Sequence, residues 1–342
     1  MSYSGNGLSL SQDINDVIYF DKDADLSIVQ SNTVAIIGYG NQGRSRALNL
    51  KDSKVNVVIG LRGGSLSREL ARKEGFKCLS IEDATIEADI ICCLVPDQYM
   101  ADIYKTNIEP HLSKNKTLLF SHGYNIHYKL ISPPEDCNVI MVAPSGPGHA
   151  VRKKYTENSG VPNLIAIEQD STLNALDIAL SYSKAIGGTK ACAFMSTFKE
   201  ETETDLFGEQ VILTGSFPRM IKESFKVLLE DGYSPVVAWF VCFYEVKNIV
   251  DLFSEKGIDD MFKAVSETAE YGGQTRADRI INDDVAIEIK EILNDIKSGD
   301  FHKEWMNETE SGLKTLEEYR IPNQTEQLFN ELTKVLLPKI KK

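Results

Sequence analysis

The 342-residue chain is predicted to be an α/β protein: a doubly wound parallel sheet fills its first half, and an all-helical domain follows. Three observations predict this. Short continuous apolar runs recur with helical spacers over the first half of the chain. A glycine-rich turn follows the first long run directly. From Thr204 onward the apolar residues recur at three- and four-residue intervals instead, as in Val211, Ile212, Phe217, Met220, Ile221, Phe225, Leu228 and Leu229.

Thr33 to Ile37 is apolar throughout, as expected of a strand covered on both faces. Val55 to Leu61, Ala88 to Leu94, Thr117 to Ser121, Asn138 to Ala143 and Leu164 to Ile167 are the following strands, with helical stretches such as Leu66 to Glu74 between them. Strands spaced by helices form a parallel sheet through right-handed crossovers. The rhythm is expected to stop at about Ala191. Length alone favours two domains, and the change of period puts them at residues 1–190 and 191–342, with the boundary near Gly187-Gly188 to Ser196.

Composition narrows the function. Fifty acidic residues against 37 basic ones leave a net charge of -13, which argues against nucleic acid or an anionic membrane as partner. No run approaches the roughly 18 apolar residues of a membrane helix, and Met1 to Asp13 is too polar for a secretory signal. Cys78, Cys92, Cys93, Cys137, Cys192 and Cys242 show no metal-binding spacing, so they read as reduced core thiols of a cytoplasmic protein.

The turn Gly38-Tyr39-Gly40-Asn41-Gln42-Gly43 sits between a predicted strand and a helix, with a second strand about a dozen residues on. This is the context that a dinucleotide site of the Rossmann type requires: glycines let the backbone amides approach a pyrophosphate at a helix N-terminus. The second strand ends without the acidic residue that holds a ribose 2′-hydroxyl. It offers Arg62, Ser65 and Ser67 instead, donors suited to a 2′-phosphate. NADP is therefore favoured, with NAD still usable. In the acidic stretch from Glu200 to Glu209, Asp205 and Glu209 are four apart. They would project from one helix face and could share a divalent cation, although a solvated acidic first turn has the same pattern.

Residues 197–210 (TFKEETETDLFGEQ) closely resemble the metal-binding signature of ketol-acid reductoisomerases. Residues 38–43, 121–128 (SHGYNIHY), 143–152 (APSGPGHAVR), 247–252 (KNIVDL) and 266–272 (SETAEYG) are similar to further strings of that family, in its order and at the spacing of its short, class I form. The likeness runs from about residue 15 to 285 and weakens beyond. The resemblance implies two Mg²⁺ ions, alkyl migration in a 2-acetolactate, and NADPH reduction of the resulting 2-keto acid to a 2,3-dihydroxy acid, a step of branched-chain amino-acid synthesis. It implies cofactor contacts at Gly38 to Gly43, Arg62, Ser65, Ser67, Asp97, Gln98, Tyr99, Met100 and Gly148, and a catalytic role for His122. Asp205 would bridge both metals, with Glu209 on the first. Glu245, catalytic through the second metal, and Ser266, which binds the substrate carboxylate, would come from the partner subunit of a dimer with knotted, interlocking helical domains.

Two positions depart from the family. Ser145 stands where the family has a catalytic lysine, and Val241 where it has the glutamate that pairs with Glu245. Three readings stay open: a working ketol-acid reductoisomerase, a diverged paralogue that only reduces a related 2-keto acid, and a non-catalytic family member. Both losses fall harder on isomerisation than on reduction.

Overall fold

The structure, a computed structural model, describes residues 2–4, 7–9 and 18–340. The chain divides into two compact units, residues 1–202 and 203–342.

In the first unit, β1 (Ser2–Ser4) and β2 (Gly7–Ser9) form a small antiparallel pair. The main sheet has nine strands: β3 (Ile18–Tyr19), β4 (Thr33–Ile37), β5 (Asn56–Gly60), β6 (Lys77–Leu79), β7 (Ile90–Cys93), β8 (Thr117–Phe120), β9 (Asn138–Pro144), β10 (Asn163–Gln169) and β11 (Ala193–Met195). Their spatial order is β3-β11-β10-β9-β8-β7-β4-β5-β6. From β6 through β9 every pairing is parallel. The chain starts in the middle at β4, winds out to β6, then returns to β7 on the other side. That reversal between β4 and β7 is where a doubly wound sheet opens a ligand crevice at its carboxyl edge.

All six predicted strands are present, and the sheet is not wholly parallel. β10 runs antiparallel to β9, and β3 antiparallel to β11. The rhythm also continues past Ala191, since β11 pairs with β10 over Ala193 to Met195. β3, β6 and β11 are two or three residues long, too short to leave a periodic signal.

The apolar runs are continuous because each strand feeds two cores. Val34 and Ile36, Ile90 and Cys92, and Ile140 and Val142 face one layer. Ala35 and Ile37, Ile91 and Cys93, and Val139 and Met141 face the other. Helices α1 (Leu26–Gln30), α2 (Asn41–Asp52), α3 (Ser67–Lys73) and α8 (Ala175–Ile186) cover the first layer. On the second lie α4 (Ile81–Glu87), α5 (Asp97–Ile103) and the short α6 (Tyr124–His127). Adjacent Cys92 and Cys93 thus point to opposite faces as free thiols. The remaining helix of this unit, α7 (Gly148–Thr156), follows β9.

Helix α9 (Phe198–Gly208) crosses the division between the units. Beyond it, the second unit is helical throughout its described residues: α10 (Phe217–Glu230), α11 (Pro235–Trp239), α12 (Glu245–Lys256), α13 (Ile258–Lys263), α14 (Glu267–Ile280), α15 (Asp283–Ser298), α16 (Asp300–Glu310), α17 (Lys314–Tyr319) and α18 (Gln324–Ile340). Wider π-helical turns at Glu209–Ser216 and Phe240–Tyr244 join α9 to α10 and α11 to α12. Phe225, Ala238, Trp239 and Phe329 form the core. Phe225 meets Phe329 edge-on at 5.2 Å, and the Trp239 indole donates to Thr333 Oγ1 at 2.9 Å. Among the described residues no helix is long and apolar enough to cross a membrane.

Truncating Phe225, which has no exposed surface, leaves a cavity in a small core. Phe225→Ala should cost the helical unit about 3–5 kcal/mol, read from urea unfolding by Trp239 fluorescence in a Trp305→Phe background.

Candidate functional site

The nucleotide turn is built by a close approach. Strands β4 and β7 run side by side, and Leu94 N donates to Ile37 O at 2.9 Å as they end. A Cβ on Gly38 would lie 2.6 Å from Leu94 O, and Gly38 has a φ of +100°. Only glycine meets both demands. Gly40 caps α2 without a side chain, so the amides of the first turn are not consumed by a capping oxygen. A Cβ on Gly43 would collide with Gly38 O, and one on Gly148 with Asn41 O. Asn41 is the exposed first residue of α2. Gln42 reaches across the turn, donating from Nε2 to Gly146 O at 3.0 Å. This joins the turn to the loop Ser145 to Gly148.

Tyr39 is buried and donates to Glu74 Oε2 at 2.6 Å. Arg44 completes the group with an ion pair to Glu74 at 2.5 Å. Burial, then the Glu74 carboxylate, pushes the Tyr39 phenol well above its ordinary pKa, so it remains a donor. The Arg44 hydrogen bond, ahead of Tyr39's, holds Glu74 below the usual carboxylate range.

At the end of β5, Arg62 is exposed, while Ser65 and Ser67 are half-buried at the approach to α3 and in its first turn. Arg68 anchors the loop by donating to Leu61 O at 2.7 Å and Leu79 O at 3.2 Å. After β7, Asp97 and Gln98 open α5. Asn125 Nδ2 donates to Asp97 O at 3.2 Å. Tyr99 is half exposed, whereas the Met100 side chain is buried in the second core layer.

His122 follows β8 at the same carboxyl edge. Its Nδ1 lies 3.0 Å from Glu201 Oε1, and Gly123 N donates to Glu201 Oε2 at 2.7 Å. The contact fixes the ring orientation, and an ionised Glu201, which can only accept, would take the hydrogen bond of Nδ1–H. Glu201 is almost wholly buried at 3% exposure. Sequence reasoning missed it: its role depends on a partner 78 residues away. The available signal was its position four residues before Asp205 on α9. Gly123 is required because a Cβ there would fall 2.5 Å from Phe198 O and against Thr202 Oγ1.

Within the second unit, Asp205 and Glu209 are both exposed, and Glu209 begins the first π-helical turn. Glu245 opens α12 directly after the second such turn, which contains the half-exposed Val241. Rare turns of this kind are frequent at functional sites. Ser266 caps α14, its hydroxyl oxygen accepting from Ala269 N at 3.2 Å. Carboxylate oxygens such as those of Asp205, Glu209 and Glu245 are the hard donors that suit Mg²⁺. Ser145 is exposed, and its backbone amide donates to Pro162 O at 2.8 Å.

A doubly wound sheet with this turn at its switch point is a dinucleotide-binding protein of the oxidoreductase class. Residues 28–192 match the family model described as "Acetohydroxy acid isomeroreductase, NADPH-binding domain", and residues 198–336 match "Ketol-acid reductoisomerase, C-terminal domain". The chain belongs to the ketol-acid reductoisomerase family. It is 51% identical over 303 residues to the ketol-acid reductoisomerase (NADP(+)) of Methanocaldococcus jannaschii, covering 89% of this chain and 92% of that protein. A solved NADH-preferring ketol-acid reductoisomerase from an uncultured archaean has a TM-score of 0.90 at 42% identity, over 94% of this chain and 99% of that one. A semialdehyde dehydrogenase NAD-binding protein from Cupriavidus necator shares the fold alone, with a TM-score of 0.61 at 19% identity over 78% of this chain and 99% of that one.

Glu201→Gln keeps the shape and removes the charge, and should lower kcat by roughly tenfold or more without moving the NADPH dissociation constant. Steady-state kinetics beside a nucleotide titration would check both.

Proposed function

We propose that this chain is a Mg²⁺-dependent ketol-acid reductoisomerase that prefers NADPH and can use NADH, and that converts 2-acetolactate to 2,3-dihydroxy-isovalerate. The observation that carries this is His122, oriented by Glu201 at the edge that also holds the nucleotide turn. Arg62, Ser65 and Ser67 would receive the 2′-phosphate, and Asp97 to Met100 with Gly148 would line the cofactor. Asp205, Glu209 and Glu245 would hold Mg²⁺, whose part is to polarise oxygens of the substrate. Ser266 would take the substrate carboxylate, and His122 would manage a proton of the reaction. Residues 1–190 would serve as the cofactor domain, with residues 191–342 carrying the metal, the substrate and the dimer contact.

A homodimer, or a multiple of it, with interlocking knotted helical domains is part of the reading. In its support, the helical unit leaves Leu213, Val227, Val237 and Val241 at 50% exposure or more, apolar side chains that a partner subunit would cover. We place the enzyme in the cytoplasm, acting on a small acetohydroxy or 2-keto acid in branched-chain amino-acid synthesis.

Ser145 and Val241 favour a second reading, a reductase of a ready-made 2-keto acid. Neither side chain supplies a charge, and Val241 supplies no donor atom. The deciding assay follows NADPH oxidation with Mg²⁺, offering 2-acetolactate or 3-hydroxy-3-methyl-2-oxobutanoate. Turnover of both is the expected result. Turnover of the keto acid alone would establish the second reading, and turnover of neither, with NADPH still bound, would mark a non-catalytic member. The Ser145→Lys, Val241→Glu double variant should raise 2-acetolactate turnover by roughly tenfold or more. No gain would mean that these two positions do not limit the chemistry.

A further inference from the structure

Arg46 lies on the second turn of α2 and has no exposed surface. Its Nη1 donates to Val142 O at 3.1 Å, its Nη2 to Ser121 Oγ, and its Nε to Gln42 Oε1 at 3.3 Å. It also adjoins the buried Cys92–Tyr182 pair, whose sulfur and hydroxyl are 3.3 Å apart. None of its partners among the described residues is a carboxylate. A buried charge answered only by neutral acceptors is costly, so its retention asks for a reason.

The three acceptors belong to three different segments of the carboxyl edge. Gln42 lies in the first turn of α2, and its amide holds Gly146 O. Ser121 directly precedes His122, and Val142 lies in β9, three residues before Ser145. One planar guanidinium therefore ties the nucleotide turn, the His122 turn and the strand leading to Ser145 together. Lysine could not reproduce a fork of this kind. The charge has a second consequence. Arg46 is five residues into α2, roughly 8 Å along the axis from its first residue, within range of an anion seated on that N-terminus.

We propose that Arg46 is a positioning residue for the dinucleotide: its fork holds the three segments in binding register, and the bound pyrophosphate supplies the counter-charge that the protein withholds. This rests on the NADPH-binding part of the reading above and not on the isomerase step.

The test measures NADPH affinity by nucleotide fluorescence in Arg46→Lys and Arg46→Met, with folding checked by circular dichroism and thermal melting. Arg46→Lys keeps the charge and loses the fork, and should raise the NADPH dissociation constant roughly tenfold. Arg46→Met loses both and should raise it further. Should Arg46→Met fail to fold, Ser121→Ala supplies the other arm. It removes one of the three acceptors that the fork ties together, and should raise the NADPH dissociation constant by roughly threefold, less than Arg46→Lys does; unchanged affinity would count against the proposal. Folded Arg46→Lys or Arg46→Met protein with wild-type affinity, whatever its melting temperature, would overturn the proposal, because a purely structural residue would move stability alone. Wild-type protein that binds NADPH yet turns over no substrate would end the isomeroreductase reading and leave this one to the affinities.

Discussion

The close approach between the exits of β4 and β7 is the constraint on which the rest depends. Leu94 O stands where a Cβ of residue 38 would be, and the strands cannot separate without losing the ladder from Val34–Ile90 to Ile37–Cys93. The chain must therefore leave β4 through a left-handed glycine and turn at once into α2. That turn aims the N-terminus of α2 at the crevice where the strand order reverses, and amides left without a side-chain cap are suited to an anion. The same helix then carries Gln42 toward Gly146, and Arg46 toward Ser121 and Val142. A turn set by sterics thereby governs segments that follow it by 75 residues and more.

Much of this was legible in the sequence. Thr33 to Ile37 and Asn138 to Ala143 read as buried strands because each feeds two cores, so no polar residue interrupts them. The Gly38 to Gly43 turn was legible because its constraints are local. Strand direction was not: the apolar run Leu164 to Ile167 marks β10 as a strand, and nothing in its residues states that it pairs antiparallel with β9. Lys77 to Leu79 and Ala193 to Met195 were invisible as strands because three residues carry no period. The chain changes from sheet to helix only at Phe198, after β11 has taken its place between β3 and β10.

The candidate site divides along the same line. Residue types with a recognisable chemistry, such as His122 and Asp205, could be named from their strings. Residues whose part depends on distant neighbours could not. Glu201 sits in an acidic run that reads as solvated, yet it is buried because the Gly123 amide and His122 ring both require an acceptor. Arg46 follows Arg44 by two residues in a helix, and residue type alone does not separate the two. Arg44 is half exposed on Glu74, whereas Arg46 is fully enclosed. Helical spacing decides this: residues two apart point to different sides, and the side of Arg46 faces the sheet.

Ser145 and Val241 matter because of what surrounds them. Hydride transfer asks for a seated dinucleotide, a polarised carbonyl and a proton source. The residues suited to these tasks, from Gly38 to Gly43 together with His122, Asp205 and Glu209, are all present. Alkyl migration also requires a deprotonated hydroxyl beside a polarised carbonyl, so two oxygens must be managed at once. A valine beside Glu245 removes one anionic oxygen from the group that would share that load, and a serine at 145 cannot supply a cation in its place. The Ser145 amide is held to Pro162, so the backbone there is kept in order although the side chain is short. A lysine introduced at that position would start from an ordered loop, while a glutamate at 241 would enter a half-exposed position four residues from Glu245. Neither exchange requires the core to move, and any change in chemistry that follows can be assigned to the side chains themselves.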